Sequence, residues 1–187
     1  MKGIVFNLLE DVVSEHHGPE TWEALVDAAG VSGAYTSLGA YPDSDMEALV
    51  AAACAALSLN RNAVLRWFGV NAMPLLAERY PTLFEGHTSA RTFVDGVNDV
   101  IHAEVRKLYP DALCPHFKLS DAGANELVMA YHSARRMCAL AEGFVEGAAI
   151  YFNDTVQFTH EACVDHGDRG CVFRIRWADG VGEARAA

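Results

Sequence analysis

In the stretch YHSARRMC, Tyr131, Ser133 and Arg135 fall at every second position, and an extended strand would turn all three side chains to one face. Two hydroxyls and a forked guanidinium then converge as donors. Such a set suits an anion with several oxygens, one or two carboxylates for example. The competing reading is a solvated polar face of an antiparallel sheet. His102 is the second residue with chemistry to offer, since neutral imidazole is the commonest metal ligand. It lies about 100° from the centre of the apolar stripe of its predicted helix. That edge position also suits a structural, hydrogen-bonded histidine.

A third group is C-x21-H-x2-C-x7-C, formed by Cys138, His160, Cys163 and Cys171. Three thiolates and an imidazole suit tetrahedral zinc in a closed structural site, with no position left for water. Residues three apart in a regular strand face opposite ways, so His160 and Cys163 need a bend or bulge between them to share a metal. His166 is a competing ligand, and unrelated core cysteines are the plain alternative. Five cysteines, at 54, 114, 138, 163 and 171, are an odd number, which excludes a complete disulfide framework and favours reduced thiols.

These side chains need elements to hold them. Gly18-Pro19 opens a helix over TWEALVDAAG, Ser44 can cap DMEALVAAACAAL, and Asn60 or Asn62 can cap a short helix, AVLRWFG. A longer helix is predicted over 89–109, with Ser89 as cap, Val94, Val97, Ile101, Val105 and Leu108 at helical spacing, and Pro110 as the stop. It carries His102. Period-two alternation in HFKLS and ELVMAYHS around the turn DAGAN gives a hairpin. MCALAEGFVEGAAIYFN follows as a helix, and DTVQFTHEAC and CVFRIRW around VDHGDRG close the chain with a second antiparallel pair. Helices first and antiparallel sheet second make an α+β arrangement. A single domain is expected over 1–180, with a mainly helical part over about 1–65, the His102 helix over 89–109 and a sheet-containing part over 110–180. Residues 181–187 are expected to be a disordered tail.

The 187 residues, 51% of them hydrophobic, suffice for one substantial core. A net charge of −11, from 25 acidic against 14 basic residues with no Lys/Arg cluster, argues against a nucleic-acid surface or an anionic-membrane anchor. Glu10 and Asp11 interrupt the apolar start before a signal-peptide core could form, and no later run is long and apolar enough to span a bilayer. A cytoplasmic protein is expected.

Together these features resemble the H-NOX family, the haem-nitric oxide/oxygen binding domains that include the haem domain of soluble guanylate cyclase. Tyr131-x-Ser133-x-Arg135 matches the family's YxSxR motif, His102 falls on a helix where the family's proximal haem ligand lies, and MKGIVFNLLE and YPTLFEG match as well. The resemblance covers nearly the whole chain. It implies haem b between the helical and sheet-containing parts, with His102 as axial ligand to the iron. Tyr131, Ser133 and Arg135 would hold its propionates, the paired carboxylates that converging donors suit. Pro115 corresponds to a proline that presses the porphyrin out of plane.

The same resemblance bears on gas selectivity. Leu140 stands where oxygen-holding members carry a donor tyrosine, Leu9 where an oxygen-binding relative carries tryptophan, and Phe144 adds apolar bulk. The implied pocket is dry and donor-free, which favours nitric oxide and permits carbon monoxide. Some bacterial members also carry a zinc site near the C-terminus, built from three Cys and one His, and Cys138, His160, Cys163 and Cys171 match it, which implies bound Zn2+.

A sensor rather than an enzyme is implied: nitric oxide at ferrous haem releases His102 and relieves the pressure at Pro115, and the two parts of the domain rotate. The output is expected to pass in trans to a histidine kinase or a cyclic-di-GMP synthase or phosphodiesterase. Three other readings compete. One is an oxidation sensor built on the cysteine cluster, with haem secondary. Another is a haem peroxidase or oxygenase, whose distal acid/base Leu140 cannot supply. The third is a zinc-stabilised interaction module without haem.

Overall fold

The computed structural model describes residues 1–178; the tail expected over 181–187 lies outside the described residues. α1 (Gly3–His17) and α2 (Pro19–Ala29) meet at Gly18, whose φ of 88° a side chain would resist, with Pro19 already in the first turn of α2. α3 (Asp43–Leu57) begins after Pro42, so Ser44 lies inside the helix rather than capping it. Asp43 and Asp45 in its first turn favour that start electrostatically. α4 (Arg61–Arg79) is capped by Asn60, whose Oδ1 accepts from the Ala63 N–H at 2.9 Å. It does not end at Gly69 but continues through Pro74.

The helix predicted over 89–109 is in three pieces: α5 (Ala90–Asp95), a π turn (Val97–Ile101) and α6 (His102–Leu108). Ser89 and Thr92 close a reciprocal capping box at its start. Pro110 forces the stop, because the residue before a proline is pushed out of the helical region. A π turn lodges an extra residue in the ladder and re-aims the helix beyond it. The apolar spacing from Val94 to Leu108 carries no trace of that step.

Two hairpins form one antiparallel sheet of β1 (His116–Gly123), β2 (Glu126–His132), β3 (Val156–Ala162) and β4 (Cys171–Trp177), in the order β1-β2-β4-β3. α7 (Cys138–Tyr151) connects the hairpins. One sheet face, with Leu127, Met129, Tyr131, Cys171, Phe173 and Ile175, is buried in a cluster with Cys138, Ala141 and Val145 of α7. Burial of each large apolar side chain there contributes about 1.5–3 kcal/mol.

The other side of α7 rests on α4 with backbone almost touching backbone. A Cβ on Gly69 would stand 2.6 Å from the Leu140 carbonyl oxygen, and one on Gly143 only 2.2 Å from that of Arg66. This explains why a glycine that reads as a helix stop sits in mid-helix: its missing side chain is the contact. The α+β architecture is as expected, and α4 carries the helical layer past residue 65 onto α7. Among the described residues no single helix is long and apolar enough to cross a membrane.

Candidate functional site

His102 opens α6 directly after the π turn, and Asn98 in that turn pins it to β1. The Asn98 amide donates to the Phe117 carbonyl at 2.5 Å, and the Phe117 N–H donates to Asn98 Oδ1 at 3.1 Å. The Phe117 ring stacks on the His102 imidazole with centroids 5.7 Å apart. His102 Nδ1 is buried and has no hydrogen-bond partner. Burial first, then the Arg106 cation, push the imidazole pKa down to about 4, against the backbone of Pro115, which as a proline can offer only its carbonyl. At neutral pH the ring is therefore uncharged, the form that binds a metal. His102 and Pro115 are neighbours.

The expected common strand face of Tyr131, Ser133 and Arg135 is not what forms. β2 ends at His132, so only Tyr131 lies in the strand, while Ser133 and Arg135 belong to the turn before α7. Arg136, at φ 53°, takes the left-handed conformation as the turn leads into α7. The turn still gathers the groups. The Arg135 N–H donates to Ser133 Oγ at 3.2 Å, and the Met137 N–H donates to the Tyr131 hydroxyl at 3.3 Å. Burial raises the Tyr131 pKa, with hydrogen bonds to Ser133 and Met137 opposing.

Arg135 reaches two further elements. Its Nη1 donates to the Leu113 carbonyl at 2.5 Å, and its Nε, buried and without an aligned hydrogen bond, lies 2.9 Å from Asp43 Oδ2. Burial alone would raise the Asp43 carboxyl; the N-terminal amine and Arg135 together hold it below its usual value. The Phe117 ring spans the interval between the two groups, with its centroid 5.8 Å from that of Tyr131.

Leu9, Leu140 and Phe144 belong to one apolar cluster with Leu65 and Phe68. Phe68 and Phe144 place their ring centroids 6.4 Å apart. None of the three carries a donor. The glycine crossing of α4 and α7 is what holds Leu140 and Phe144 in this cluster. A buried neutral imidazole nitrogen, a guanidinium with two hydroxyls, and a donor-free apolar wall form a donor set that suits haem.

Cys138, Cys163 and Cys171 are buried, reduced, and have their sulfurs within 4.8 Å of one another. Cys138 Sγ to Cys163 Sγ is 3.8 Å, far beyond a disulfide bond. It is also the edge of a tetrahedron about a metal with sulfur bonds of ~2.3 Å, which is ~3.8 Å. Burial first, then neighbouring sulfurs, push the Cys138 thiol up, and burial raises that of Cys171 as well, so in the metal-free fold these two are held protonated. The residues fit zinc.

The bulge demanded by the spacing is present in β3 between His160 and Ala162. His160 itself is not drawn into the sulfur cluster: its Nε2 lies 3.1 Å from Glu142 Oε2, and its ring meets the Phe173 ring at 4.4 Å. His166 lies in the 3-10 turn Val164–His166 beyond the bulge, outside the sulfur group.

Asn98, Asp43 and Glu142 are the participants that sequence reading missed. Asn98 and Asp43 touch the site only through a π turn and a contact distant in sequence. Glu142 had a signal, one helical turn after Cys138 on the same face.

A helical layer on an antiparallel four-stranded sheet, with a buried imidazole on one side and the Tyr131–Arg135 turn on the other, defines a haem-domain architecture. Residues 2–160 match the family model described as HNOB, haem-NO-binding. The chain belongs to that family, whose members are haem-based gas sensors rather than enzymes.

Among solved structures, the chain is similar to an H-NOX protein of Shewanella oneidensis in the Fe(II)NO ligation state. The two are 31% identical over 96% of this chain and 100% of that chain, with a TM-score of 0.89. It is similar also to the Fe(II) unliganded H-NOX protein of K. algicida, at 27% identity over 97% of this chain and 98% of that one, with a TM-score of 0.86. A variant of Tt H-NOX, 20% identical over the full length of both chains, shares the fold at a TM-score of 0.82.

Proposed function

We propose that this chain is a haem-based nitric oxide sensor. Haem b, when bound, supplies the ferrous iron at which the gas coordinates. His102 holds that iron from one side. The observation that carries this reading is the state of its imidazole: largely buried and neutral, with a buried Nδ1 that has no hydrogen-bond partner among the described residues. Tyr131, Ser133 and Arg135 would hold the propionates, and Arg135, whose Nε lies 2.9 Å from Asp43 Oδ2, is the cationic donor of the three. Pro115, beside His102, would be the residue that presses on the porphyrin.

Leu9, Leu140 and Phe144 supply the gas side with apolar surface and no hydrogen-bond donor. Bound oxygen carries partial negative charge and needs a donor to be held; nitric oxide and carbon monoxide do not. The Shewanella oneidensis H-NOX protein, 31% identical to this chain and solved both with nitric oxide and with carbon monoxide, supports these two gases as ligands. Were His102 released, α6 would be free to move. Because Asn98 ties the preceding turn to Phe117 of β1, such a movement would be passed to the sheet.

The receiver is a separate protein, a histidine kinase or a cyclic-di-GMP synthase or phosphodiesterase. Cys138, His160, Cys163 and Cys171 hold Zn2+ in a structural role, fastening the start of α7 to the terminal hairpin. The test of the whole reading is His102→Gly in haem-loaded protein. The reduced variant should lose the absorption spectrum of histidine-bound iron and regain it with added imidazole. An unchanged spectrum would overturn the assignment.

A further inference from the structure

Among the described residues Glu142 is the one charged side chain that is buried, at 9% exposure, and a buried carboxylate needs a reason. Its ion pair with Arg66 is not a sufficient one. Arg66 Nε lies 3.5 Å from Glu142 Oε1, but the guanidinium is engaged by Glu146 on the same helix, whose Oε2 accepts from Nε at 2.6 Å. The close contact is with His160, whose Nε2 is 3.1 Å from Glu142 Oε2.

The sheet register shows what that contact faces. His160 is paired with Phe173, and Phe173 is two residues from Cys171 on β4, so all three side chains share the face turned to α7. The bulge after His160 shifts the alternation by one residue and brings Cys163 to that face as well. On α7, Cys138 and Glu142 are separated by one turn and share a face. Glu142 and the sulfur cluster therefore flank the same imidazole.

We infer that Glu142 is a positioning residue for the metal site, holding His160 by Nε2 so that Nδ1 is the nitrogen offered to the metal. The inference rests on the zinc reading above. A carboxylate only accepts, so it selects the tautomer with the proton on Nε2 and the lone pair on Nδ1. The edge contact with Phe173 limits the plane in which the ring can turn. Nε2 is within reach of Oε2 but has no aligned hydrogen bond, so taking up the metal would require the ring to turn about its contact with Glu142. One helix thus supplies a ligand and, one turn later, the group that aims another.

The experiment measures zinc affinity by competition with a chromophoric chelator, and the cobalt(II) spectrum, for the full chain and four variants. Glu142→Ala should weaken zinc binding roughly 10–100-fold, and its cobalt spectrum should approach that of His160→Ala, the reference for a site without imidazole. Glu142→Gln, isosteric and still an acceptor, should recover much of the loss. Arg66→Met removes the ion pairs between α4 and α7 without touching His160, and should leave zinc affinity unchanged. Wild-type affinity in Glu142→Ala, or an equal loss in Arg66→Met, would overturn the inference while leaving the zinc reading intact. A wild type that takes up no zinc would remove the zinc reading, and the inference with it.

Discussion

Tyr131 and Cys171 are opposed residues on neighbouring strands β2 and β4, so the proposed propionate donor and the proposed zinc ligand share one rung of the sheet. On its other side Tyr131 opposes Phe117, whose ring lies against His102. The contacts run His102, Phe117, Tyr131, Cys171 without a gap, and Cys138 and Cys163 adjoin the last. Continuity alone is not coupling, which has to be measured by disturbing one end and reading the other.

Chelation of zinc from haem-loaded protein is expected to shift the iron–histidine stretching frequency, because the Cys171 thiol, on the rung it shares with Tyr131, would lose its metal and be free to move. Resonance Raman spectra before and after chelation check this. Superimposable spectra would mean that the two sites are independent.

Gly143→Ala is expected to destabilise the protein by about 1–3 kcal/mol. The new methyl would meet the Arg66 carbonyl at 2.2 Å, and since both atoms are backbone-anchored the helices must separate. Urea denaturation of the haem-free protein measures the loss. A stability equal to wild type would contradict the close crossing of α4 and α7.

Asn98→Ala removes two hydrogen bonds to the Phe117 backbone and leaves its buried N–H without an acceptor. It is expected to cost about 1–3 kcal/mol. It should also speed haem loss, since His102 follows the turn that Asn98 fixes. Transfer of haem to an excess of apomyoglobin gives the rate; an unchanged rate would exclude Asn98 from positioning His102.

Stability of the haem-free protein should fall as pH drops from about 6.5 toward 4. His102 has its pKa lowered to about 4 in the fold, chiefly by burial, so the unfolded chain takes up the proton first and stability is drawn down across that window. The contribution is about 2–3 kcal/mol after allowance for partial exposure. In His102→Leu this part of the pH dependence should be absent; a profile parallel to wild type would show that His102 is not held neutral.

Much of this was legible in the sequence because it is local. The caps Asn60 and Ser89, the two hairpins, and the need for a bulge between His160 and Cys163 all follow from neighbours a few residues apart. What escaped depends on contacts between distant segments. Gly69 reads as a stop, and only the approach of α7 makes it a helical contact. The π turn before His102 is set by the Asn98–Phe117 pairing, which periodicity cannot register. Strand alternation promised a common face for Tyr131, Ser133 and Arg135, but β2 ends at His132, and the three are gathered by a turn instead. Asp43, far away in sequence, meets Arg135 only in the folded chain.

The central claim is that His102 is the ligand that nitric oxide displaces while the apolar wall of Leu9, Leu140 and Phe144 refuses oxygen. The absorption spectrum of reduced, haem-loaded protein, recorded first in air and then with nitric oxide, tests both parts at once. The account predicts no stable oxygen complex in air and, with nitric oxide, the spectrum of iron that has lost its histidine. A lasting oxygen complex, or a nitric oxide complex in which His102 stays bound as the only product, would contradict it.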